Sequence, residues 1–171
     1  MVSTANANLQ VRFTIDYPCG WHVFEQPLQS FADETSERKG RMLDQLLLSA
    51  LPISYAPSEG PPTEISVDSW YDDTSLEGDA LPSLADWIAN AKKRFSNLKE
   101  TTVKTRDGLT VTRIAGATPL SDEPVPAVLY VWEWTDRSEV RYISEAFAVR
   151  PGPIVTRTIA ALVRSFRVIG S

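Results

Sequence analysis

Residues 127–149 constrain the fold more than any other stretch of the chain. Ala127–Trp134 and Glu139–Val149 are rich in strand-forming residues and are joined by a short polar segment, the pattern of a β-hairpin. Whether the loop is Asp136-Arg137 or Thr135 to Ser138, the register is the same and Trp134 faces Glu139. One face then carries Val128, Tyr130, Trp132, Trp134, Ile143 and Phe147. The other carries Leu129, Val131, Val140, Tyr142, Ala146 and Ala148. A strand with one wet face alternates apolar and polar residues. Here both faces are apolar, so the hairpin must be covered on both sides.

Two segments supply helices for that cover. Ser83 is placed to cap a helix that follows Pro82, with Asp86 near its positive end. Leu84, Ile88, Ala91, Phe95 and Leu98 form its apolar stripe, while Asn90, Lys93 and Asn97 point elsewhere. A second helix follows Pro151-Gly152-Pro153, with Val155, Ile159, Leu162, Val163 and Phe166 as its stripe.

The remaining elements are strands, with one ambiguity. Val11, Phe13, Ile15 and Tyr17 alternate with Arg12, Thr14 and Asp16, and Pro18 and Gly20 supply a turn into a returning strand at Trp21–Phe24. Leu43, Leu46, Leu47, Ala50 and Leu51 have helical spacing, which predicts a helix over 42–51, although Leu46, Leu48 and Ala50 also alternate as a strand would. Ile65 to Tyr71 is a short strand after a proline-rich loop. Asp107-Gly108 is a two-residue turn signal joining Thr101–Arg106 to Leu109–Ala115. The predicted class is α+β: a three-layer α/β/α sandwich around a largely antiparallel central sheet.

A length of 171 residues fits one soluble domain, and 43% hydrophobic residues are too many for a disordered chain. The formal charge of −5 argues against a nucleic-acid partner and against an anionic membrane surface, since both need a basic face. No apolar run approaches the roughly 18 residues of a membrane span. Met1 to Gln10 lacks the basic and apolar regions of a secretory signal, which sets cytoplasmic location as the expectation.

Most catalytic schemes lack their residues. One histidine and one cysteine exclude a multi-histidine zinc site and an internal disulfide. Cys19 and His22 would make a thiolate–imidazole pair for a small enzyme, but their place at a tight turn beside Trp21 favours a structural role. The glycines are isolated, so no phosphate-binding loop is present. The acidic run Asp68, Asp72, Asp73, Glu77 and Asp79 lacks the order of a calcium loop and reads as a solvated strand end. Lys92-Lys93-Arg94 reads as the wet face of a helix. No cofactor, metal or enzyme activity is expected.

That leaves binding. Trp132 and Trp134 fit a buried core, whereas Trp70 and Tyr71, flanked by charge and followed by a loop, are the candidate exposed aromatic pair. Together with Asp72 and Asp73 they form the predicted partner contact.

Phe13-x-x-x-Tyr17-Pro18-x-Gly20-Trp21 resembles the opening strand and turn of the PsbP-like family. The later order, a strand at Ile65–Val67, a helix after Pro82, consecutive hairpins and a helix ending near Ser165-Phe166, is similar too. On this resemblance 1–171 is a single PsbP-like domain, with 25–62 an extended variable segment that departs from the compact family pattern. The resemblance also implies an α/β/α sandwich and non-catalytic work. Roles on this fold include photosystem II extrinsic subunits or assembly factors, a Ran-binding regulator, and DcrB-like or Eag-type adaptors that hold client proteins as chaperones do. The expected function is therefore a binding or adaptor domain that docks to a larger protein assembly or client.

Overall fold

The structure is a computed structural model and describes residues 2–4, 13–26, 41–50, 64–71, 80–120 and 123–169. Along the chain come β1 (Val2–Thr4), β2 (Phe13–Tyr17), β3 (His22–Gln26), β4 (Arg41–Ser49), β5 (Ile65–Tyr71) and α1 (Leu84–Lys92). Then follow β6 (Ser96–Lys104), β7 (Thr110–Leu120), β8 (Glu123–Thr135), β9 (Arg141–Val149), α2 (Pro153–Ser165) and β10 (Arg167–Val168). Seven strands form one antiparallel sheet in the order β3-β4-β5-β9-β8-β7-β6, and β1, β2 and β10 form a smaller one. The α+β sandwich expected from the sequence is the observed architecture.

The two-sided hairpin lies inside the large sheet. Val128, Tyr130, Trp132 and Trp134 pack on α2 through Val155, Ile159, Leu162, Val163 and Phe166. On the opposite face Leu129, Val131 and Ile143 pack on α1 through Trp87 and Ala91, with Trp70, Leu81 and Phe95 beside them. Each face thus has its own helix. β2 lies with α2 on its face, where Ile15 is fully buried and Phe13 stacks on Phe166 at 5.1 Å.

Both hairpin registers differ from the sequence expectation. Trp134 lies opposite Tyr142, not Glu139. An odd shift moves every β9 side chain to the other face. Ile143 and Phe147 therefore belong to the α1 face, and Tyr142, Ala146 and Ala148 to the tryptophan face. The cause is the loop. Asp136 Oδ1 accepts from the amides of Ser138 (2.8 Å) and Val140 (3.0 Å), while Glu139 takes a left-handed φ of 61°. This makes a three-residue loop, which the Trp134–Tyr142 stack at 4.1 Å reinforces. The loop after β6 is of the same kind: Thr105 donates to Leu109 O at 3.0 Å, and Gly108 has φ 82°. Arg106–Gly108 is thus a three-residue loop, where a two-residue turn was expected.

Three further expectations are corrected. Trp21 N–H does close a turn onto Pro18 O (3.2 Å), but β2 pairs with β1 and β10 while β3 pairs with β4, so no hairpin forms across it. Phe13 and Ile15 are drawn over the α2 face by aromatic and aliphatic partners that no neighbour in sequence provides. Residues 41–49 are a strand where a helix was predicted, because Leu46 and Leu48 pair with Val67 and Ile65 and are buried on one sheet face. Finally, α1 ends at Lys92; Phe95 stays buried against Phe147, but Leu98 is 41% exposed on β6. Asn97, with φ 49°, sits in the irregular start of β6, and asparagine tolerates that conformation better than most residues. The two helix starts behave as the sequence implies: Ser83 Oγ caps α1 by accepting from Asp86 N at 3.1 Å, and Pro153 is the first residue of α2.

Candidate functional site

The predicted aromatic pair is split by strand geometry. Adjacent residues of a strand point to opposite faces. Trp70 goes to the α1 face, where it is 3% exposed and 5.0 Å from the ring of Trp87. Tyr71 goes to the α2 face and lies 6.1 Å from Tyr142, partly exposed. Trp70 is therefore core and not an exposed anchor. Asp72 and Asp73, with Glu77 and Asp79, lie outside the described residues. Trp132 and Trp134 are buried, as read from the sequence.

The most polar place under α1 is centred on Glu145, a residue the sequence reading passed over. It is 3% exposed and accepts from Trp87 Nε1 at 2.7 Å and from Arg94 NH2 at 3.1 Å. Its cross-strand neighbour on β5 is Asp68. Of the Lys92-Lys93-Arg94 cluster, Arg94 thus turns inward, while Lys92 pairs with Glu100 at 2.5 Å and Lys93 bonds Asn90. A buried carboxylate is tolerated only with such partners. Arg141 ties down the entry to α1 by donating to Leu81 O (3.1 Å) and Pro82 O (2.7 Å) while paired with Glu133. These bonds fix the helix to the sheet. The signal that marks Glu145 in the sequence is its place as the sole charged residue of Tyr142–Val149.

On the α2 face a second buried polar chain runs from Ser69 Oγ to Ser144 Oγ (2.7 Å), which also accepts from Trp134 Nε1 at 2.9 Å. It lies within the aromatic cluster of Phe13, Trp132, Trp134, Tyr142 and Phe166. Phe13, Tyr17 and Trp21 of the family-like motif all pack on this core. Cys19 and His22 sit at the exposed turn next to it.

The large sheet has two edge strands, β3 and β6, and β6 is an accessible candidate among the described residues. Among the described residues β6 has one neighbour, β7, and most of its residues are exposed. Because Thr105 directs its N–H to Leu109, antiparallel alternation turns Val103 and Thr101 towards β7 and Lys104, Thr102 and Glu100 outward. A bulge between Ser96 and Lys99 ends the straight stretch. Gly116 permits that bulge, since a Cβ there would come within 2.7 Å of Ser96 O. The sequence places a strand at Thr101–Arg106, which overlaps β6 but misses its start at Ser96 and its place at the edge. The available signal was that Ser96–Lys104 is polar on both faces.

No family model and no curated protein matches the chain. Among solved structures, LpqN, described as involved in cell envelope biogenesis of Mycobacterium tuberculosis, is similar with a TM-score of 0.53. That match covers 98% of this chain and 89% of LpqN, at 7% identity, and it shows a shared fold. A Pseudomonas aeruginosa protein of unknown function, PA94, covers 80% of this chain and 87% of its own at 15% identity, with a TM-score of 0.32 too low to bear on the fold. No helix among the described residues is long and apolar enough to cross a membrane.

Proposed function

We propose that this chain is a non-catalytic docking domain that takes up an extended segment of a protein partner along the β6 edge. The observation that carries the reading is the outward row of backbone groups at Glu100, Thr102 and Lys104 on an exposed strand. An added strand draws affinity from such groups and specificity from alternate side chains. Support also comes from how the buried polar side chains are used: Glu145 anchors α1, and Ser69 and Ser144 join β5 to β9. The PsbP-like kinship and a cytoplasmic location belong to the same proposal. The kinship is supported by the packing of Phe13, Tyr17 and Trp21.

The test is capture of partners from native lysate on the full chain, followed by their identification, in parallel with Thr102→Pro. Proline removes an outward N–H and leaves the β7 ladder intact. A partner held by the native chain and released by the variant is expected. Equal retention by both would move the docking site away from β6, and Tyr71→Ala would then be the next variant to examine.

A further inference from the structure

We propose that the partner strand at this edge is β6 of a second copy of the chain, paired antiparallel about Thr102. This rests on the docking reading above and names its occupant. In an antiparallel ladder, hydrogen-bonded residues face each other and exchange both bonds. A second β6 must therefore set Glu100, Thr102 and Lys104 against members of the same outward set. With the two-fold axis at Thr102 all three are used: Thr102 meets its own copy, and Glu100 meets Lys104 at both ends. An axis at Glu100 or at Lys104 sets like charges against each other. Axes at Thr101 or Val103 leave Glu100 and Lys104 opposite threonine or opposite residues beyond the straight stretch. Charge thus selects one register.

The side chains fit that choice. Glu100, Thr102 and Lys104 share one sheet face and are all exposed. Directly opposed side chains start about 5 Å apart at Cβ, within reach of a carboxylate and an ammonium. Glu100, held by Lys92, would bridge it to the incoming Lys104, whose Nζ now rests on Gly108 O (3.2 Å) and Thr110 Oγ1 (2.8 Å). Lysine on an edge ordinarily blocks strand addition. Here Lys104 is neutralised only by a copy in the Thr102 register, so the same residue rejects other registers. The Ser96/Lys99 bulge and the Arg106–Gly108 loop limit the contact to a short stretch, and the two-fold closes it as a dimer.

Sedimentation of the full chain over a range of concentration tests this. A dimer that weakens with salt is expected. Glu100→Lys and Lys104→Glu should each lower the association constant at least tenfold, because each sets like charges together at both ends. An equimolar mixture of the two variants should associate again, since every opposed pair in the mixed dimer is then of opposite sign. A monomeric native chain, a dimer kept by both variants, or a mixture no more associated than its components would each overturn the proposal. Far-ultraviolet dichroism confirms that each variant is folded. The two readings fail differently: a monomeric native chain whose partner is released by Thr102→Pro removes self-pairing but keeps edge docking, whereas a partner kept by that variant removes edge docking itself.

Discussion

β9 and β6 are antiparallel strands of one sheet, each nine residues long, yet none of β9 is exposed and none of β6 is buried. Beyond the bulge that opens β6, their backbones are alike. The difference lies in what each strand carries and what covers it. β9 has apolar residues on both faces, with α2 above and α1 below, and it tolerates Ser144 and Glu145 only because each has dedicated hydrogen-bond partners. β6 has Glu100, Thr102 and Lys104 on one face, Lys99 and Thr101 beside Val103 on the other, and a bulge at its start. A strand's depth in a sheet is thus written in the polarity of both its faces, and the outer strand is left with backbone groups to offer.

The largest effect expected from this contrast is at the centre. Trp132→Ala, at a site with no exposure and packed on Phe166, should cost about 3–5 kcal/mol in denaturant unfolding. A loss below about 1 kcal/mol would show that the centre is not closely packed. Next comes Glu145→Ala, expected to cost about 2–3 kcal/mol because Trp87 Nε1 and Arg94 lose their acceptor. The figure is at the low end for a buried pair because the Arg94 side chain is 40% exposed and can be hydrated. Tryptophan fluorescence should report the change at Trp87; an unaltered spectrum and midpoint would mean that α1 is held by packing alone.

Gly116→Ala tests the boundary between the two regions. Its new methyl would meet backbone at Ser96 and Leu98, so the bulge must shift, at a cost of about 1–2 kcal/mol seen as a lowered melting temperature. The smallest effect is predicted on the edge itself. Thr102→Ala should change stability by no more than about 0.5 kcal/mol, measured by the same denaturant titration, since the side chain is exposed. A larger loss in dilute solution would mean that β6 is already covered.

Much of the layer structure was legible in residues 127–149, because apolar residues on both faces of a strand demand two covers whatever their origin. The helix starts at Ser83 and Pro153 were legible for a local reason, as a cap or a first-turn proline acts within one turn. The candidate site was less so. Trp70 and Tyr71 looked like a pair because they adjoin in sequence, but a strand sends neighbours to opposite faces, and a tryptophan partner on α1 took one of them. The β6 edge went unrecognised because being outermost is a property of the whole sheet.

The sequence by itself determined which segments are apolar on one face or two, where both helices begin, and that the centre of the sheet would be dry. Tertiary structure decided the rest: β2 leaves β3 for a smaller sheet, 41–49 becomes a strand, and both hairpins slip from their expected register. The physical reason is common to these cases. Periodicity records how a segment meets an apolar surface, but a strand's partner and register are fixed by contacts distant in the chain. Those contacts exist only once the sheet, the helices and their aromatic side chains have assembled.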